Sequence, residues 1–111
     1  MITQDEYNGV CVLTVEAELA GELCAAARKA VEKTIDERHI VSFAFDLTQC
    51  PFIDSEGLET LLWAKRKCDE LFGMMKLVGP DEHCRKIFEI TRLDSRFDIE
   101  GDLAAALKGM R

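Results

Sequence analysis

The chain has 111 residues, of which 48% are hydrophobic and 32% are charged. This length is typical of one domain, and the hydrophobic fraction is too high for an intrinsically disordered segment. The 14 basic and 21 acidic residues give a formal net charge of −7. This balance argues against nucleic acid or an anionic membrane as a partner, because both surfaces carry negative phosphates.

The start of the chain gives no indication of export. The first ten residues, MITQDEYNGV, lack the basic, apolar and small-residue blocks that a signal peptide carries in that order. The apolar runs of the sequence are far shorter than the ~20 residues that a membrane span needs. We therefore expect one cytoplasmic domain over residues 1–111.

The five cysteines are widely spaced and include no Cys-x-x-Cys pair. Their spacing indicates neither a structural zinc site nor a dithiol redox centre. We expect reduced, mostly buried thiols, and neither a metal nor another cofactor. These residues are Cys11, Cys24, Cys50, Cys68 and Cys84.

The first third of the chain predicts a hairpin followed by a helix. Asn8-Gly9 is a strong two-residue turn signal between predicted strands over Thr3–Tyr7 and Val10–Ala17. The alanine-rich stretch that follows has apolar residues at helical spacing, which predicts an amphipathic helix over about Glu22–Arg38.

A buried strand, a loop and a second helix are predicted next. The strand covers 40–47, and its alternation puts four apolar side chains on one face: Val41, Phe43, Phe45 and Leu47. After a loop containing Pro51, a helix is predicted over about Ser55–Phe72, with Gly73 as its stop.

The remaining sequence predicts a strand in MMKLVG, a helix from Gly79-Pro80-Asp81 to about Ile90, a short edge strand, and a helix capped by Asp102. Alternating strands and helices imply parallel strands joined by crossovers. The predicted fold is therefore α/β: a mixed sheet of four to five strands, with an N-terminal antiparallel hairpin and parallel strands, packed with about four helices.

The loop before the second helix is the place to look for function, because open parallel sheets carry functional loops beyond the carboxyl ends of their strands. With Asp54 as the N-cap, Ile53 and Leu58 take the positions of a hydrophobic staple. Ser55 is then the first helical residue, with its hydroxyl in solvent, and Gly57 permits a close backbone approach. An ordinary capped helix start explains the same pattern.

No Lys or Arg occurs between Arg38 and Lys65, while this interval contains Asp46, Asp54, Glu56 and Glu59. A phosphate on Ser55 would add roughly −1.5 to −2 charge without a basic neighbour in the sequence. We expect such a modification to repel a partner. A solvated acidic patch without any regulation is the alternative.

The chain resembles the STAS-domain anti-sigma factor antagonists from about Thr3 to Leu107. Three segments in order carry this resemblance: SFAFDLTQCPFIDSEGLETLL, GMMKLVGPDEHCRKIFEITRLDSRFDI and DLAAAL. It implies that Ser55 is phosphorylated by an anti-sigma factor that is also a serine kinase, and that a phosphatase reverses the step. It also implies that Asp46 and Asp54 flank the site and that Gly57-Leu58 begins the docking helix.

The chain departs from that family at several positions. It has Ala17-Glu18-Leu19-Ala20 where Gly-Glu-Leu-Asp is frequent, and Arg92 where a glycine usually precedes the leucine. Glu56 and Glu59 stand where residues are usually small.

Trp63 is predicted almost opposite the apolar face of the second helix, at about 140° from Leu58. An outward Trp beside this turn is a candidate partner anchor, together with residues 54–58. Packing of Trp63 against a neighbouring helix or loop is an equally open alternative.

An enzyme is not expected. Ser55 has no nearby His or Lys in the sequence and no G-x-S-x-G context, and no glycine-rich phosphate loop is present. The function expected is that of an anti-sigma factor antagonist-like regulator, switched off by phosphorylation of Ser55. The alternatives are a scaffold subunit of a signalling or transporter complex, or a small-molecule or lipid-binding domain. The sequence does not determine the oligomeric state.

Overall fold

A five-stranded mixed sheet forms the centre of the computed structural model, which describes residues 1–110. The strands lie side by side in chain order, and only the first pair is antiparallel. The predicted hairpin followed by parallel strands is confirmed, with five strands. They are β1 (Ile2–Tyr7), β2 (Val10–Val15), β3 (Ser42–Asp46), β4 (Met75–Val78) and β5 (Asp98–Glu100).

Four helices cover both faces of this sheet. They are α1 (Glu22–Arg38), α2 (Ser55–Glu70), α3 (Glu82–Ile90) and α4 (Leu103–Lys108). The larger apolar core joins the sheet to α1, α2 and α3, and a smaller one lies beneath α4. The alternation of β3 explains this division, because Phe43 and Phe45 belong to the larger core while Ala44 belongs to the smaller one.

Aspartates begin three of the helices. The carboxylate of Asp54 accepts a hydrogen bond from the Gly57 backbone N–H at 2.7 Å, and that of Asp102 accepts one from Ala105 at 2.8 Å. Asp81 accepts from the Cys84 N–H at 2.9 Å. Each cap satisfies an amide that the first turn of a helix leaves free, so the predicted helix starts at Asp54 and Asp102 are confirmed.

The end of α2 differs from the prediction. The helix stops at Glu70, and the Gly73 N–H donates to the Cys68 carbonyl at 2.7 Å while the Phe72 N–H donates to Asp69 at 3.2 Å. This is a Schellman ending, in which Phe72 takes the left-handed conformation with φ 61°. Phe72 is therefore 96% exposed and lies outside the helix that was predicted to include it.

The close approach of Gly73 to Val41 explains why a glycine is needed at this position, although Phe72 takes the left-handed conformation. A Cβ atom on Gly73 would collide with the backbone carbonyl of Val41, so the glycine is required where the chain passes β3. The same ending occurs in α3, where Arg92 has φ 61° and its N–H donates to Glu89 at 3.0 Å. A glycine would adopt this conformation without strain. This is a physical reason for the glycine that usually stands at the position of Arg92 in the family that the chain resembles.

All five cysteines are buried and free. Burial raises the pKa of the Cys11 thiol to about 11 and the pKa values of the Cys68 and Cys84 thiols to about 12. Thiolates are the reactive species, so we expect the native protein to resist alkylation at neutral pH.

These shifts also predict a loss of stability in alkali. In the unfolded chain the thiols ionise near their ordinary pKa of 9.0, whereas in the fold they stay protonated to a higher pH. Their contribution to the free energy of unfolding is therefore complete below pH 9.0 and is lost as the pH rises towards 11–12. Urea unfolding should therefore give a lower free energy of unfolding at pH 10.5 than at pH 7.5. A Cys68→Ala variant should lose less between the two conditions, and an equal loss would contradict the assignment to this thiol.

Candidate functional site

The Ser55 loop, residues 48–54, connects β3 to α2 and is held by backbone hydrogen bonds. The Leu19 N–H donates to the Phe52 carbonyl at 2.9 Å, and the Asp54 N–H donates to the Leu19 carbonyl at 3.4 Å. Leu19 and Ile53 form an isolated parallel bridge. The segment after β2 thus fixes the loop immediately before Ser55, which gives the buried Leu19 a structural role in the Ala17-Glu18-Leu19-Ala20 stretch.

Ser55 is the first residue of α2, and its side chain is exposed. Asp54, the N-cap, is half-buried with its carboxylate turned to the Gly57 amide. Ile53 and Leu58 are both buried in the larger core, at 1% and 9% exposure, in agreement with the staple positions. The hydroxyl of Ser55 therefore stands at the surface of a helix start whose neighbouring residues are anchored in the core.

Gly57 lies where the first turn of α2 meets the segment after β2. A Cβ at this position would collide with the Leu19 carbonyl oxygen and would stand 2.7 Å from the Ile53 side chain. Only a glycine lets the first turn of α2 come this close to the Leu19 backbone, and this contact positions the turn that carries Ser55. Gly57 and Leu58, which were proposed as partner contacts, are both buried, and Gly57 brings the start of α2 against Leu19.

Two of the predicted acidic neighbours have local hydrogen-bonding roles. Asp46 ends β3 and accepts bonds from the Thr48 backbone N–H at 3.0 Å and from the Thr48 hydroxyl at 2.7 Å. Asp54 is occupied by its cap bond, as described above. Glu56 and Glu59 are exposed on the first turns of α2, and Glu59 approaches Arg66 only at 4.0 Å. The exposed face next to Ser55 is thus acidic.

Trp63 packs against α1 and does not project freely. Its side chain is half-buried beside the larger core, and the Arg28 guanidinium lies 5.2 Å from the ring centroid. Of the two alternatives left open by the sequence, the structure shows the packing one. On the same helix, Lys65 and Asp69 form an ion pair at 3.4 Å.

The family model of the STAS domain matches residues 1–106. The chain belongs to the STAS domain family. No curated protein matches the chain in sequence. No helix within residues 1–110 is long and apolar enough to cross a membrane.

Solved structures of low sequence identity share the fold of this STAS domain. An anti-sigma factor antagonist from Mycobacterium paratuberculosis is 23% identical, with a TM-score of 0.86 over 100% of this chain and 93% of that one. A candidate anti-sigma factor antagonist from Thermotoga maritima is 21% identical, with a TM-score of 0.85 over 99% and 94%. Bacillus SpoIIAA in its phosphorylated form is 17% identical, with a TM-score of 0.76 over 97% and 98%.

The structure adds two features to the STAS domain site that sequence reasoning missed. Arg28 of α1 lines a groove of about 180 Å³ together with Glu56, so one basic group does approach the acidic turn. Phe52 of the Ser55 loop is 39% exposed, and its ring centroid lies 5.8 Å from that of His83 in α3. The only signal for Phe52 in the sequence was an apolar residue inside a loop next to Pro51.

No cluster of His, Cys, Asp or Glu side chains in the described part of this STAS domain is arranged to hold a metal ion. The groove beside Glu56 is also smaller than the roughly 300–1,000 Å³ of typical ligand pockets. We call the solvent-accessible residues around this turn the Ser55 surface: Arg28, Phe52, Ser55, Glu56 and Glu59. They offer a hydroxyl, two carboxylates, one guanidinium and one aromatic ring.

Proposed function

We propose that this STAS domain is an anti-sigma factor antagonist, which binds a kinase-type anti-sigma factor through the Ser55 surface and is switched off by phosphorylation of Ser55. The observation that carries the proposal is the exposed Ser55 side chain at the first position of α2, beside a loop fixed by Leu19. Structures of similar fold include antagonists of this class and a phosphorylated SpoIIAA, which supports the proposal.

The switch is electrostatic in this proposal. A phosphate on Ser55 adds roughly −1.5 to −2 charge beside the exposed carboxylates of Glu56 and Glu59. The free amides at the start of α2 attract an anion, but Asp54 already occupies the Gly57 amide. Arg28 of α1 is itself placed over Trp63. The added charge therefore lies on the docking surface, where binding would bury it against the partner.

This STAS domain is the acceptor of the phosphoryl group and not the catalyst. In the transfer, the Ser55 oxygen forms a bond to the γ-phosphorus of ATP while the bond from that phosphorus to ADP breaks. The hydroxyl proton leaves to a base, which we assign to the kinase because the adjacent Asp54 carboxylate is held by the Gly57 N–H. A phosphatase returns Ser55 to the docking-competent form.

Substitutions at Ser55 test the switch. A Ser55→Asp variant should bind the anti-sigma kinase at least about tenfold more weakly, ~1.4 kcal/mol, because a charge is buried against the partner. A Ser55→Ala variant should bind with unchanged affinity. The kinase is first captured from the native host on the Ser55→Ala chain and purified, and each affinity is then measured by titration calorimetry.

A Ser95→Asp variant is the matched control, because Ser95 is also an exposed loop serine and gains the same charge. It should bind as tightly as the unmodified chain. Intact mass measured after incubation with the kinase and ATP should show one phosphoryl group on the unmodified chain and none on Ser55→Ala. Equal affinities of the Asp and Ala variants at position 55 would leave a constitutive scaffold as the better account.

A further inference from the structure

Phe72 lies at the opposite end of α2 from Ser55, about 24 Å away for a helix of 16 residues. Its ring is 96% exposed, and its backbone has φ 61°, a conformation in which a bulky residue is strained. Both features are unfavourable in an isolated chain. Neither the core nor the Ser55 surface makes use of this side chain.

A groove of about 240 Å³ begins at the residue before Phe72. Ile35 of α1 and Leu71, which follows α2, supply its apolar surface, and Leu71 is 41% exposed. Glu32 and Asp36 line the α1 side, while Lys67 lines the α2 side. None of these three charged groups forms an ion pair with another residue in the range 1–110.

We propose that these residues are a dimer interface for a second copy of this chain. We call them the Phe72 surface: Glu32, Ile35, Asp36, Lys67, Leu71 and Phe72. A two-fold contact must be self-complementary: where a group of one copy contacts a second group of the other copy, the reverse contact also forms. The Phe72 surface meets this condition, because it holds an exposed ring beside an apolar groove and unpaired acids opposite an unpaired base.

The two-fold arrangement brings the α2 side of each copy against the α1 side of the other. Each Phe72 ring then fills the groove between Ile35 and Leu71 of the second copy, and each Lys67 faces the other copy's acids. Ile90 is also 80% exposed, but it is not among the residues of this groove. Since the Phe72 surface lies at the far end of α2, the dimer leaves both Ser55 surfaces free.

Sedimentation velocity of the full chain tests the dimer. From about 1 μM to about 1 mM the weight-average mass should rise from 12.5 kDa towards twice that value. A Phe72→Asn variant should weaken the dimer at least about tenfold, because two buried rings are lost. Asparagine tolerates the left-handed backbone, so this variant should fold at least as stably as the parent chain.

Matched variants separate this interface from general adhesion. Ile90→Asn removes an exposed apolar side chain elsewhere and should leave the dimer unchanged. Lys67→Glu and Asp36→Lys should each weaken the dimer, and the two together should restore it, because the charges exchange across the two-fold axis. A chain that stays monomeric up to about 1 mM, or a Phe72→Asn variant that dimerises like the parent, would overturn the proposal.

Discussion

A Phe45→Ala variant is expected to lose about 3–5 kcal/mol of folding stability. Phe45 is fully buried at the centre of the sheet, where it is paired in register with Leu13 of β2 and Leu77 of β4. Removing the ring leaves a cavity that the parallel strands on both sides cannot close. Domains of this kind have about 5–15 kcal/mol in total, so the variant should unfold at a clearly lower urea concentration than the parent chain.

Urea unfolding followed by circular dichroism measures this loss. Phe72→Ala is the matched control, because it removes the same atoms from a ring that is 96% exposed and leaves the backbone at the same φ. Measured at low chain concentration, where any dimer dissociates, it should change stability by no more than about 0.5 kcal/mol. Similar losses in the two variants would contradict the assignment of the core to the α1 and α2 side of β3.

A Gly57→Ala variant is expected to cost about 2 kcal/mol and to move the Ser55 turn. In a free helix the change would stabilise by about 1 kcal/mol, because alanine is the better helix former. Here the new methyl group would collide with the Leu19 carbonyl, which is backbone and accepts the Asp54 N–H. The collision outweighs the propensity gain, because the loop and α2 must separate to accommodate the methyl group.

The control for Gly57 is Gly101→Ala. A Cβ on Gly101 meets nothing within 4 Å, so this variant should lie within about 0.5 kcal/mol of the parent chain. Amide hydrogen exchange provides the local readout: the Gly57 and Leu58 amides, which donate to Asp54, should exchange faster in a variant that displaces the loop. A Gly57→Ala variant with parental stability and unchanged exchange would show that the approach of Leu19 is not required.

The local elements of this protein were predictable because their signals act over a few residues. Asn8-Gly9 sets the hairpin turn, and the alternation of β3 separates Phe43 and Phe45 from Ala44. The cap at Asp54 and the exposure of Ser55 also follow from short-range chemistry, because a side-chain oxygen reaches an amide three residues ahead.

The end of α2 shows where this local reasoning fails. A glycine after a helix usually takes the left-handed position, which placed the predicted stop at Gly73. The chain instead uses Gly73 to pass Val41, a contact between residues 32 positions apart, and Phe72 takes the left-handed position in its place. The exposed ring and the Phe72 surface result from that exchange.

The sequence by itself determined the α/β order, the helix caps and the acidic character of the Ser55 turn, since each depends on neighbouring residues. Only the tertiary structure decided which distant groups meet there. It brought Leu19 against Gly57, Arg28 over Trp63, and His83 beside Phe52. Such contacts join segments about 30 or more positions apart, and they depend on how the helices pack on the sheet, which no local periodicity encodes.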